Sequence, residues 1–263
     1  MGVVNVTPDS FSDGGRFLDA GAALAHARRL IAEGADMLDV GGESTRPGAE
    51  PVSEEEEIDR VVPLIEQIRR ESSVLISVDT MKPAVARAAV AAGAAMWNDI
   101  TALGWSPESA AVAAELGCEV CLMHMQGDPR TMQQDPHYDD VVEDVMAFMV
   151  DRIAAAAEAG VSGARIWLDP GIGFGKRPGH NLELLRHLDR FVDTGFPILL
   201  GVSRKRFIRS IDETAVEADD RLGGSLAGTL WGAARGVKAV RVHDVRETVQ
   251  ALKVWAAIEK GAE

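Results

Sequence analysis

The sequence predicts an α/β fold, a single (β/α)8 TIM barrel with its site at the C-terminal ends of the strands. Three observations carry this. Eight short aliphatic runs recur along 263 residues, each followed by a polar or glycine-rich loop and then a helical pattern. The runs are apolar rather than alternating, as expected of parallel strands covered on both faces. No linker-like shift in composition divides the chain, and its length matches the roughly 250 residues that such a barrel needs. One domain over 1–263 leaves no room for a second. A doubly wound open sheet is the runner-up.

The strands are expected at 2–6, 37–40, 74–78, 95–98, 119–123, 165–168, 198–202 and 239–242. Between the first two, 20–33 places Leu24, Ala27, Leu30 and Ile31 on one helical face, and Gly34 ends it. Ser53 and Glu56 read as a capping box, and the acidic turn Glu54–Glu57 suits the helix dipole. Ile58, Val61, Val62, Ile65 and Ile68 then repeat at helical spacing. Pro83 and Pro107 sit near helix starts, where a missing N–H is harmless. A long helix is expected over 138–159 before Gly160, and two more over 221–235 and 245–259.

Composition narrows the partners. Lys and Arg number 27 against 41 Asp and Glu, a net charge of −14. That argues against nucleic acid or an anionic membrane, both of which reward excess basic residues. A small anionic substrate in a locally basic pocket stays open. No apolar run approaches the roughly 20 residues of a membrane span, and no secretory signal is visible. The two cysteines, Cys118 and Cys121, read as core thiols on opposite faces of one strand, consistent with a reducing cytoplasm.

Polar clusters follow the strands, where a barrel gathers its chemistry. A lone carboxylate at a strand end reads equally well as a helix cap. Asp79, Asn98 and Asp169 converge from three strands, which capping does not explain. Such a set suits a nitrogen heterocycle with several N–H groups, with Lys205 pairing the acids or bonding a ring carbonyl. Arg46, Arg241, His243 and Asn5 form a second group suited to a diphosphate and a divalent metal. His124 reads as structural. The loop Gly171-Ile172-Gly173-Phe174-Gly175 resembles a phosphate cradle but lacks the dinucleotide-binding spacing, and Lys176 and Arg177 read as its solvated edge.

Five long motifs, collinear from Asn5 to His243, resemble the dihydropteroate synthase family of folate biosynthesis. They are Asn-Val-Thr-Pro-Asp-Ser-Phe-Ser-Asp-Gly-Gly at 5–15, Gly-Glu-Ser-Thr-Arg-Pro-Gly at 42–48, Asp-Pro-Gly-Ile-Gly-Phe-Gly-Lys at 169–176, Ser203-Arg204-Lys205, and Arg241-Val242-His243-Asp244. The resemblance implies a transferase that joins 7,8-dihydropterin-6-ylmethyl diphosphate to 4-aminobenzoate, giving dihydropteroate and diphosphate with Mg²⁺. It implies that Asp79, Asn98, Asp169 and Lys205 hold the pterin, that Arg241 stacks on it, and that Ile100, Met123 and Phe174 line the pocket. Asn5 would bind Mg²⁺ with the diphosphate, helped by Thr45, Arg46 and His243. Phe11, Pro47 and Ser203 would shape the aminobenzoate pocket, the family's sulfonamide site. The loops 7–15 and 44–48 would close over the site.

The implied chemistry is an SN1-like loss of Mg-diphosphate followed by attack of the aryl amine. Arg46 and His243 stabilise the leaving oxygen, and Asp9 lies near the cation. The family usually places a short segment before the first strand, whereas Met1 here abuts it. That bears on closure of the barrel bottom and not on the mouth. A homodimer is implied through the last helices, where Leu226, Leu230, Trp231 and Ala234 share a face. The alternatives are a folate-binding corrinoid methyltransferase barrel, an aldolase barrel using Lys205, and a non-catalytic pterin-binding protein.

Overall fold

The computed structural model describes residues 1–6, 16–44 and 48–261. Eight strands follow in chain order: β1 Gly2–Asn5, β2 Met37–Gly41, β3 Leu75–Asp79, β4 Met96–Asp99, β5 Glu119–Met123, β6 Ile166–Asp169, β7 Leu199–Leu200 and β8 Ala239–Val240. The first six form one parallel sheet in that order, and β7 pairs with β8. Parallel bridges join Leu168 to Ile198 and Gly2 to Val242. The N–H of Leu168 donates to Pro197 O at 3.0 Å, and that of Val3 to Val242 O at 3.1 Å. Both seams are therefore bonded, and the ring closes as a barrel without a free edge. The last two strands are two residues long, but their flanks stay bonded to the sheet: the N–H of Arg241 donates to Leu200 O and that of Val242 to Met1 O, both at 2.9 Å.

The helices are α1 Arg16–Ala32, α2 Glu54–Glu71, α3 Pro83–Ala91, α4 Ser109–Leu116, α5 Val141–Glu158, α6 Pro178–Arg186, α7 Leu188–Val192, α8 Leu222–Ala234 and α9 Val245–Lys260. Ser53 caps α2 by accepting from the N–H of Glu56 at 3.2 Å. The expected reciprocal bond is replaced: the Glu56 carboxylate turns to Arg60 Nη2 at 2.5 Å, one turn on. Helix α5 begins three residues later than expected. The Asp140 carboxylate accepts from the N–H groups of Val142 and Glu143 and fixes the start there. Tyr138 instead donates its hydroxyl to Gly175 O at 2.7 Å.

Strand alternation sorts the side chains. Outward positions such as Val4, Leu38, Val40, Ile76, Val78, Trp97, Leu122 and Leu168 pack under the helices in one buried cluster with Leu30, Ile65 and Val85. Each such side chain contributes about 1.5–3 kcal/mol relative to exposure. Inward positions at the barrel bottom are also apolar: Met37, Met96, Cys121, Trp167 and Leu199, with Met1 and Ala239 beside them. Cys118 belongs to the outer cluster, so the two thiols do face opposite ways. One level higher the inward side chains turn polar. Asp39 and Ser77 are register partners on β2 and β3, both fully buried, and Asn98 joins them from β4. The strands are thus apolar outside and polar inside towards the mouth, a pattern that the short runs conceal.

Candidate active site

The register places the polar groups side by side. Asn5 pairs with Gly41, Gly41 with Asp79, and Asp79 with Asn98, which brings the ends of β1 to β4 to one level. Adjacent strands lie about 4.8 Å apart, so the Asp79 and Asn98 side chains are neighbours. Between β5 and β6 Met123 pairs with Asp169. Arg241 reaches in from the far side after β8. Its Nε donates to Asp39 Oδ2 at 2.5 Å and its Nη2 to Asp79 Oδ2 at 2.7 Å. Asn98 Nδ2 donates to the same Asp39 oxygen at 3.2 Å. Asp169 Oδ1 accepts from the N–H of Gly171 at 2.7 Å.

Above this floor stands an apolar wall of Met81, Ile100 and Met123, with Met125 and Phe174 packed against it. Lys205 Nζ lies 4.1 Å from the centre of the Phe174 ring. The expected residues Asp79, Asn98, Ile100, Met123, Asp169, Phe174, Lys205 and Arg241 are therefore brought together. Met81, Met125 and Asp39 were not foreseen. A lone Asp inside the apolar run of β2 was the available signal for Asp39.

Burial sets the electrostatics. It pushes the Asp79 carboxyl up to about 7, opposed by Arg241 and reinforced by Asp39. It raises Asp169 as well, against the N–H of Gly171 and the charge of Lys205. Burial also lowers Lys205 to about 8, with Asp169 acting the other way. For Arg241 burial works against the cation, but Asp39 and Asp79 overcome it and hold the guanidinium charged. The cradle thus sets Asp79, near 7, beside a fixed cation, a set able to match the donors and acceptors of a heterocycle edge.

The loop after β6 is anchored by Lys176, which is 2% exposed and not at a solvated edge as expected. Its Nζ contacts His124 Nδ1 at 2.8 Å and donates to the carbonyls of Gly171 at 2.9 Å, Phe174 at 3.0 Å and His124 at 3.3 Å. This hub holds Phe174 in place, and His124 is structural, as expected. Gly171 has a φ of +67°, and a Cβ there would drive into the His124 carbonyl oxygen. In the loop after β7, Arg204 forms a two-pronged pair with Asp244, at 2.6 and 3.0 Å, tying β7's loop to that of β8. At the root of the loop after β2, Lys82 Nζ donates to Glu43 at 2.8 Å and to Glu57 at 2.6 Å.

The second expected group is described in part. Asn5 ends β1 near Gly41. Ser203 Oγ accepts from the N–H of His243 at 3.2 Å and lies 3.0 Å from its Nδ1. The Ser203 hydroxyl can either donate to Nδ1 or accept from it, so both neutral ring tautomers satisfy this contact. Burial, then Arg241 and Arg204, lower His243 to about 3, so it is a neutral ring at neutral pH. Asp9, Phe11, Thr45, Arg46 and Pro47 lie outside the described residues. No group of three or more His, Cys, Asp or Glu able to hold a metal occurs among the described residues.

A family model described as pterin binding enzyme matches residues 1–243. The dihydropteroate synthase of Escherichia coli (strain K12) is 48% identical over 257 residues, covering 98% of this chain and 90% of that one. The chain belongs to the dihydropteroate synthase family. A solved structure of Xanthomonas albilineans dihydropteroate synthase with 4-aminobenzoic acid superposes with a TM-score of 0.92 at 51% identity, over 99% of this chain and 93% of that one. The same enzyme in complex with 7,8-dihydropteroate gives a TM-score of 0.89 at 48% identity, with the same coverage. The family is one of transferases. Among the described residues no helix is long and apolar enough to cross a membrane.

Proposed function

We propose that this chain condenses 7,8-dihydropterin-6-ylmethyl diphosphate with 4-aminobenzoate to form 7,8-dihydropteroate and diphosphate, in folate biosynthesis. One observation supports this most: Asp79, Asn98, Asp169, Lys205 and Arg241, from the ends of five different strands, share one partly buried cradle against the Phe174 wall. In this reading Asp79, Asn98 and Asp169 meet the N–H and ring-nitrogen edge of the pterin, Lys205 its carbonyl, and Arg241 its face. Nearby relatives solved with 4-aminobenzoic acid and with 7,8-dihydropteroate favour this reading over the corrinoid methyltransferase barrel.

Mg²⁺ fits the donor set in one way. Asn5 supplies a single neutral oxygen and no carboxylate cluster surrounds it among the described residues, so the ion would take its other ligands from water and the diphosphate. Bound there, it would supply charge neutralisation of the leaving diphosphate. His243, a neutral ring, is proposed to donate to the diphosphate, and Arg46 to complete the anion contacts. The C–O bond to diphosphate breaks first in an SN1-like step, the pterin ring carrying the cation, with Asp9 proposed nearby. The aryl amine then attacks the methylene and loses its proton, which needs no strong base. Thr45, Phe11, Pro47 and Ser203 are proposed for the aminobenzoate side.

The apolar groove of Leu226, Leu230, Ala251, Val254, Trp255 and Ile258 between α8 and α9 supports a homodimer, and two free buried thiols suit a cytoplasmic setting. The test is direct: pterin diphosphate, 4-aminobenzoate and Mg²⁺ are mixed with the protein. Dihydropteroate and diphosphate released one to one support the reading, and no product from folded protein refutes it.

A further inference from the structure

The geometry points to Asp39 as the positioning residue of the pterin cradle, the fixed anchor from which Arg241 and Asn98 are aimed. The inference rests on the reading of the cradle as a pterin pocket. Asp39 lies at the middle of β2, one inward level below the mouth, and is fully buried. One of its oxygens, Oδ2, accepts from both Arg241 Nε at 2.5 Å and Asn98 Nδ2 at 3.2 Å. The other, Oδ1, has no protein partner. An unpaired buried acceptor costs free energy, so the position of Oδ1 is held against a penalty. A carboxylate whose single bonded oxygen serves two pocket residues fits an aiming role.

Arg241 holds two carboxylates that are not equivalent. Asp79 sits at the strand end with 15% of its side chain exposed, whereas Asp39 is sealed beneath it. For Asp79 to accept from the pterin and for Arg241 to lie over the ring, the Nη2 contact with Asp79 opens. The Nε contact with Asp39 lies deeper and persists. Asp39 thus acts as the hinge about which the guanidinium turns from its Asp79 contact to the ring face. Asn98, held by the same oxygen, keeps its remaining polar atoms turned to the pocket. Asp39 touches no substrate in this account and acts through its two partners.

Asp39→Asn isolates the effect. The amide has the same shape but no charge, and it offers an NH₂ either towards Arg241 and Asn98, which are donors themselves, or towards the place of Oδ1. Charge-assisted bonds are about twice as strong as neutral ones, so pterin affinity should fall by about tenfold or more. The experiment measures calorimetric binding of pterin diphosphate to four proteins: wild type, Asp39→Asn, Arg241→Met and the double variant. Urea midpoints confirm folding. The expected result is a loss of about tenfold or more from Asp39→Asn alone, and a further loss of only a few-fold, carried through Asn98, when it is added to Arg241→Met. A merely structural Asp39 would give the same loss in both backgrounds, which overturns the inference, as does unchanged affinity of the single variant. If Asp39→Asn alone does not fold, the double variant carries no buried unpaired guanidinium, and its comparison with Arg241→Met decides: a further tenfold loss overturns the inference. A wild type that binds no pterin sinks the pocket reading itself. A wild type that binds, beside an equally good Asp39→Asn, sinks Asp39 alone.

Discussion

Replacing Lys176 by Met removes the hub of the loop after β6 while keeping the aliphatic volume. Four contacts are lost: His124 Nδ1 at 2.8 Å and the carbonyls of Gly171, Phe174 and His124 at 2.9, 3.0 and 3.3 Å. Each acceptor left unpaired in a buried site costs about 1–3 kcal/mol. Against that, the variant no longer has to bury an amine whose pKa burial already drives well below its usual value. Taking the second term as offsetting roughly half of the first leaves a destabilisation of about 3 kcal/mol, in the range found when one partner of a buried polar network is removed. With a urea slope of about 3 kcal/mol per molar for a chain of this size, the unfolding midpoint should drop by about 1 M. Because Phe174 hangs on this hub and packs under Lys205, pterin affinity should fall with it. Equilibrium urea unfolding followed by circular dichroism reads the midpoint. A shift under about 0.2 M would show that Lys176 is a surface residue in solution and would refute the reasoning.

Three further outcomes are expected. Gly171→Ala should destabilise by at least about 2 kcal/mol in the same assay, since a side chain at φ +67° is strained and its Cβ meets the His124 carbonyl; an unchanged midpoint would contradict the loop's geometry. His243 has a folded pKa of about 3 against an ordinary 6.5, so between those values the unfolded chain takes up a proton that the fold refuses. Stability contributed by its neutral state is complete above pH 6.5 and is lost as pH falls, and wild type should lose up to about 1.4 kcal/mol per pH unit more than His243→Gln below pH 6; parallel stability–pH curves would show that the ring titrates normally. Lys205, near a pKa of 8 beside the Phe174 ring, is read as a pterin ligand and not a Schiff-base nucleophile. Borohydride should trap no covalent substrate adduct, and mass spectrometry showing one would overturn that role.

The strand ends were legible because each apolar run stops at a polar residue, as Asp79, Asn98 and Asp169 show, and closure into a ring makes those stops converge. What the sequence concealed depends on contacts far apart along the chain. Asp39 meets Arg241 across 202 positions and Lys176 meets His124 across 52. A lone Asp in the apolar run of β2 marks Asp39 as unusual without naming its partner, and nothing local marks a lysine whose three partner residues arrive from two loops. The division of α6 from α7 at His187 was likewise invisible, since the apolar spacing runs through it. The start of α5 was misplaced because Tyr138 continues the helical pattern, yet its hydroxyl is claimed by Gly175.

The polar ring inside the barrel mouth is proposed as the pterin pocket, and Asp79 is its most telling member. Burial raises its pKa to about 7, so at neutral pH and above its charge is a cost to the fold, and Asp79→Asn should leave the urea midpoint unchanged or higher. Calorimetric titration of pterin diphosphate into wild type and Asp79→Asn side by side should show binding to the first and an affinity at least about tenfold lower for the second. Equal affinities in two equally folded proteins would contradict the claim.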